Sequence, residues 1–136
     1  MQINELKVGD TLPERHHTPT NVTLFMYNAA VWNPHRIHYD ETYTTQVEKH
    51  PGIVIDGPLQ GDWLAQCVTN WAGTDGRVLR FSYSNRRATY LGETMVSGGR
   101  ITSIDAQNRK VSVELFIRNA EGAVTSPGSA VVELFR

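Results

Sequence analysis

The stretch Asp56–Gly73, DGPLQGDWLAQCVTNWAG, carries a full set of helix signals. Asp56 is placed as an N-cap, Pro58 stands near the first helical position where its missing N–H costs nothing, and Gly73 is a natural stop. Between them Leu59, Trp63, Leu64, Cys67, Val68 and Trp71 recur at three- and four-residue spacing as one apolar stripe. At 1.5 Å per residue the helix is roughly 22 Å long, and its two tryptophans are large enough to anchor a small core. A stripe of that size has to be covered. The chain downstream reads as strands: Arg77–Arg87, Glu93–Asp105, Lys110–Asn119 with Val111, Val113, Leu115 and Ile117 alternating, and Ser129–Phe135.

Upstream, Thr11–His17 reads as a further strand and Thr20–Val31 as a short helix with Thr20 at its start. The order is strand, helix, long loop, long helix, then an antiparallel meander, an α+β layout in which a curled sheet covers the long helix. Gly98-Gly99 predicts a bulge or sharp bend where the second long strand has to curve. Between the helices, residues 32–57 are mostly loop, with one helical turn expected over Glu41–Gln46. A loop this long, dense in His, Asn, Trp and Tyr, reads as functional rather than disordered.

The remaining arithmetic excludes several classes. A chain of 136 residues is the size of one domain, read here as 1–136. Thirteen Lys plus Arg against 14 Asp plus Glu leave a formal charge of −1, so no overall field favours nucleic acid or an anionic membrane. No apolar run reaches membrane-spanning length. Cys67 is the only cysteine, which rules out an intrachain disulfide and a cysteine-only zinc site and makes a reducing cytoplasm the expected location.

Three blocks carry a resemblance: WNPHRIHYDETY (32–43), GIVIDGPLQGDWLA (52–65) and RFSYSNRRATYLGETM (80–95), preceded by the opening LKVGDTLPE (6–14). In this order they resemble the MaoC-like family of (R)-specific enoyl-thioester hydratases and hydroxyacyl-thioester dehydratases, nearest to its hydroxyacyl-thioester dehydratase branch. The resemblance implies a hotdog fold. It also implies reversible syn addition of water across the C2=C3 bond of a trans-2-enoyl thioester, the reaction of a hydro-lyase in lipid metabolism. The segment VTNWAGTDG (68–76) resembles small subunits of steroid side-chain hydratases, which work beside a second MaoC-like chain.

Hydration needs a group that takes a proton from water, a proton for C2, and polarisation of the thioester carbonyl while enolate-like charge builds up. It needs neither metal nor cofactor. His38 matches the family's catalytic histidine, and an imidazole exchanges protons near neutral pH without large tuning. The family usually carries aspartate five residues earlier, where this chain has Asn33, an amide that can orient water but cannot act as a base. Gly57 matches the oxyanion-binding glycine, at the helix start where N–H groups are free and the dipole is positive. Asp56 stands where many relatives have His; beside an oxyanion hole, a carboxylate is expected to turn away and cap the helix.

Trp32 and Tyr39 are candidates for lining the acyl channel, and Asp40 and Pro58 complete the candidate substrate-binding set. Asp40 has a competing structural role, holding the loop through hydrogen bonds. Arg77, Arg80, Arg86 and Arg87 suit the phosphates of coenzyme A or a carrier-protein phosphopantetheine, or else form a solvated sheet face. The expected partners are therefore an acyl thioester and a second MaoC-like chain, in a homodimer or heteromer, because a sheet of about five strands leaves edges exposed. Two rival readings remain at this level. One is a non-catalytic or partner-dependent subunit, motivated by Asn33, and the other is a hotdog thioesterase.

Overall fold

The computed structural model describes residues 1–136. Its strands are β1 (Thr11–His17), β2 (Gly76–Tyr83), β3 (Met95–Asp105), β4 (Lys110–Arg118) and β5 (Val124–Leu134); its helices are α1 (Asn21–Val31), α2 (Glu41–Gln46) and α3 (Gly57–Ala72). The α1 start is set by Thr20, whose hydroxyl accepts from the Thr23 N–H. The five strands form one antiparallel sheet in the order β1-β3-β4-β5-β2, and α3 packs against every one of them. This is the expected hotdog arrangement. No helix is long and apolar enough to cross a membrane.

The core lies between α3 and the concave face of the sheet. Leu59, Trp63, Leu64, Cys67 and Val68 are buried along the helix, opposite Val111, Val113, Leu115 and Ile117 of β4 and Val132 and Leu134 of β5. Along β4 every second residue is buried, as a strand with one face on a core requires. Trp71 is only half-buried, at the margin of the cluster.

Two expectations about the sheet are corrected. The last four strands are not a simple meander: β3, β4 and β5 are, but β2 pairs with the far side of β5 and forms an edge. Residues 84–94 must therefore cross from β2 to β3. They are stitched down by the backbone N–H groups of Arg86 and Arg87, which donate to Thr125 O, and by Leu91 N–H, which donates to Ile53 O. Nor is the irregularity on Gly98-Gly99. Both are regularly paired with β4, and the register shift lies opposite them in β1, between Leu12 and Arg15. The glycines serve close approach: a Cβ at Gly98 would stand 2.6 Å from the Phe116 ring, and one at Gly99 2.6 Å from Glu114 O.

His17, at the end of β1, stacks on Trp63 with ring centroids 4.3 Å apart and its Nε2 2.9 Å from Ser97 Oγ. Burial first, then Arg15 and His16, push its pKa down to about 4. The unfolded ring titrates near 6.5, so between about pH 6.5 and pH 4 the unfolded chain binds a proton that the native ring refuses. Stability is then lost as pH falls through that window, and the effect levels off below it. Urea unfolding at pH 7 and pH 4.5 is expected to show a smaller loss for His17→Gln than for the parent chain. Equal losses would exclude His17 as the cause.

Candidate active site

The loop after α1 is shaped so that one histidine turns inward. Trp32 ends the helix in the left-handed region, φ 56°, and Asn33 N–H donates to Asn28 O. A short 3-10 turn, Arg36–His38, follows, and the Ile37 carbonyl accepts from Val54 N–H at 3.0 Å, which ties this loop to the segment leading into α3. His38 is buried, and its Nδ1 lies 2.7 Å from Val54 O. A carbonyl only accepts, so Nδ1 carries the hydrogen and Nε2 is the nitrogen free to exchange a proton. Nε2 lies 3.4 Å from Asp56 Oδ2.

Asp56 holds the N-cap position of α3, but its side chain, contrary to expectation, does not cap the helix. Its carboxylate makes no bond to the helix N–H groups and is fully buried. It accepts instead from Asn28 Nδ2 at 3.0 Å and from Asn33 Nδ2 at 3.3 Å, and faces His38. A carboxylate inside the protein gains more from two buried amide donors than from one exposed cap bond, so tertiary contacts override the local signal. The helix start is left free, and the Gly57 N–H, without a partner in the protein, belongs to a 16-residue helix whose dipole is positive there.

Two depressions flank this cluster. One, of about 300 Å³, is lined by His38, Gly57, Gln60, Asn85, Arg86 and Arg87 among others. The second, of about 460 Å³, is more apolar and is lined by Phe25, Ala29, Trp32, Pro34 and Tyr39, with Asn28 and Asn33 as its polar members. The structure thus brings His38 and Gly57 into one cleft and Asn33, Trp32 and Tyr39 into the neighbouring groove, with Asp56 joining the two sides. Asp40 and Pro58 line neither. Asp40 caps α2 by accepting from Tyr43 N–H and bonds Arg36 with its other oxygen, and Pro58 is exposed in the first turn of α3. Of the four arginines, Arg86 and Arg87 reach the cleft, while Arg77 pairs with Glu133 at 2.6 Å on the sheet surface.

Sequence reasoning did not single out Asn28, Gln60, Asn85 or Ser126. The Ser126 hydroxyl lies 2.9 Å from Asn85 Oδ1 and 3.1 Å from Gln60 Oε1 and donates its one hydrogen to either, while Gln60 Nε2 donates to Thr89 Oγ1. With Asn85 Oδ1 engaged, its Nδ2 faces the Gly57 wall of the cleft. Gln60 left a usable trace in the sequence, since a polar residue on the buried stripe of a helix needs partners. Asn28 has no comparable signal.

A profile of the hydroxyacyl-thioester dehydratase type 2 family matches residues 4–91. The chain belongs to that family, within the MaoC-like group that its sequence resembles. Mesaconyl-C(4)-CoA hydratase of Chloroflexus aurantiacus is 50% identical over 63 residues, 46% of this chain and 22% of that protein. The matched stretches span only 14–25% of the curated relatives' own length. Among solved structures, the (R)-hydratase from A. caviae involved in PHA biosynthesis superposes with a TM-score of 0.86 at 17% identity, covering 95% of this chain and 97% of that one. The ChsH1-ChsH2 complex from Mycobacterium tuberculosis contains a chain that superposes with a TM-score of 0.82 at 17% identity, covering 94% of this chain and 98% of that one. At such identity these two establish the hotdog fold.

Proposed function

We propose that this chain is a hydro-lyase that hydrates a trans-2-enoyl thioester to the (R)-3-hydroxyacyl thioester, or runs the reverse dehydration. The observation that carries the reading is the pairing, in one cleft, of an imidazole with a defined free nitrogen and a helix-start N–H that has no other partner. The thioester carbonyl accepts from Gly57 N–H, and His38 Nε2 takes a proton from water as the oxygen attacks C3. The π pair of the C2=C3 bond moves toward the carbonyl oxygen, where the helix dipole holds the growing charge. The imidazolium then returns the proton to C2 on the same face, so one base serves both transfers of a syn addition. No cofactor enters the balance.

Asn33 orients the site through Asp56, and its second amide hydrogen remains for the water. The acyl group runs into the groove of Trp32 and Tyr39, whose aromatic walls suit an apolar chain. Arg86 and Arg87 at the cleft are suited to the phosphates of coenzyme A or phosphopantetheine. The exposed edges β1 and β2 support assembly with a second copy or another MaoC-like chain. Burial pushes the Cys67 thiol up, a state suited to the reducing cytoplasm we assign to it.

A partner-dependent subunit is the second reading, favoured by the amide at position 33. One experiment separates them. The purified chain is mixed with crotonyl-CoA and with a longer trans-2-enoyl-CoA, the conjugated enoyl absorbance is followed, and the solution mass is measured in parallel. Loss of absorbance with an (R)-3-hydroxyacyl product is expected. A folded chain inert toward both substrates would favour the subunit.

A further inference from the structure

A wholly buried carboxylate facing the candidate base is not accounted for by helix capping. Donors from two separate elements converge on Asp56, Asn28 of α1 on Oδ1 and Asn33 of the following loop on Oδ2, while the imidazole of His38 approaches from the 3-10 turn. The Asn28 amide is fixed in orientation because its Nδ2 also donates to Leu24 O at 2.7 Å, which leaves its Oδ1 buried with no partner. A flipped amide would set its oxygen against two acceptors. These contacts hold the carboxylate where the neutral ring, with its hydrogen on Nδ1, presents only a lone pair. The arrangement is complementary to the protonated ring, which has a hydrogen on both nitrogens.

We infer that Asp56 is the positioning carboxylate of His38, holding the imidazolium that forms between the two proton transfers, with Asn28 and Asn33 as its fixed donors. The inference rests on the hydratase reading for its catalytic meaning. Asp56 remains a carboxylate throughout: the proton travels from water to Nε2 and from Nε2 to C2, and none is passed to Asp56. At 3.4 Å the Nε2···Oδ2 separation exceeds a closed charge-assisted hydrogen bond of about 2.7–2.9 Å, so Nε2 stays available to the cleft. Among the other ionisable groups near the ring, His35 stands edge-on with centroids 5.8 Å apart, Arg86 and Arg87 line the cleft, and the Asp40 carboxylate is committed to Arg36 and the α2 cap. Asp56 is therefore the anion set against Nε2.

The same geometry explains the amide at position 33. A carboxylate there would replace a donor 3.3 Å from Asp56 Oδ2 with a like charge. Asn33 and Asp56 are thus a matched pair, one donor and one acceptor, and the site's carboxylate is carried at the start of α3 rather than on the loop.

The test uses Asp56→Asn, Asn33→Asp and the double exchange in the full chain, with kcat and KM for a trans-2-enoyl-CoA and the His38 ring titration followed by NMR. In Asp56→Asn, kcat is expected to fall by about tenfold to a hundredfold with KM little changed, and the His38 midpoint to move down because the anion beside Nε2 is gone. Asn33→Asp alone is expected to lose activity, and the double exchange to recover at least part of it. If Asp56→Asn does not fold, Asp56→Ser removes the same charge with a smaller side chain. A wild-type midpoint and wild-type kcat in the neutral variant would overturn the inference, as would an Asn33→Asp chain at least as active as the parent. If the parent chain hydrates no enoyl thioester, the hydratase reading falls while the NMR arm still decides the pairing: a lowered midpoint supports it and an unchanged one overturns it.

Discussion

His38→Ala is expected to lower turnover of an enoyl thioester by about two to four orders of magnitude, the range associated with loss of a positioned acid/base, while leaving the fold in place. The size follows from there being one base for two proton transfers. The cleft that contains Gly57 is lined by no other group suited to act as a base, since its other charged members are the guanidinium groups of Arg86 and Arg87, and Asp56 is wholly buried. The structural cost is set by one hydrogen bond, Nδ1–H to Val54 O, and by a buried ring that fringes the core without belonging to its apolar cluster. His38→Gln is the companion variant, because its amide N–H can replace the bond to Val54 O and so preserve the loop, yet it cannot carry a proton. Both variants are measured by steady-state kinetics and thermal unfolding. A His38→Gln chain with parental turnover would exclude the ring as the base, whatever its stability.

What the sequence made legible follows from the range over which each signal acts. The limits of α3 and the alternation of β4 are written in neighbouring residues, and both appear in the structure where the local rules put them. The partner of β2 is not a local property. Its residues pair with β5 some fifty positions away, and an alternating strand fits either edge of the sheet equally well until the crossing segment 84–94 is anchored. Asp56 shows the same division within the site. Capping is a rule about the next three residues, whereas its bonds are to Asn28 and Asn33, brought there by the turn at Trp32. His38 and Gly57 can be proposed from the sequence because the surrounding blocks are distinctive. Asn28 and Asn85 act through contacts that only folding creates.

Gly57→Ala is expected to cost about a hundredfold to a thousandfold in kcat, the scale of losing one oxyanion donor, with little change in stability. A Cβ at this position would stand 2.8 Å from Asn85 Cγ and closer still to Nδ2, nearer than any real contact, so the Asn85 side chain must move. It can do so, being exposed and held through Ser126 Oγ, and alanine in the first turn of a helix carries no conformational penalty. The loss therefore has two available causes, the methyl group standing between the carbonyl and the N–H, or the displacement of Asn85. Asn85→Ala, alone and combined with Gly57→Ala, separates them, since the double variant removes the clash and keeps the methyl. If Gly57 serves the carbonyl, Asn85→Ala alone keeps most of the parental turnover while the double variant stays as slow as Gly57→Ala, because the N–H at the helix start is still screened. If Gly57 only makes room for Asn85, Asn85→Ala alone is already as slow as Gly57→Ala, and the oxyanion role passes from the backbone to that side chain.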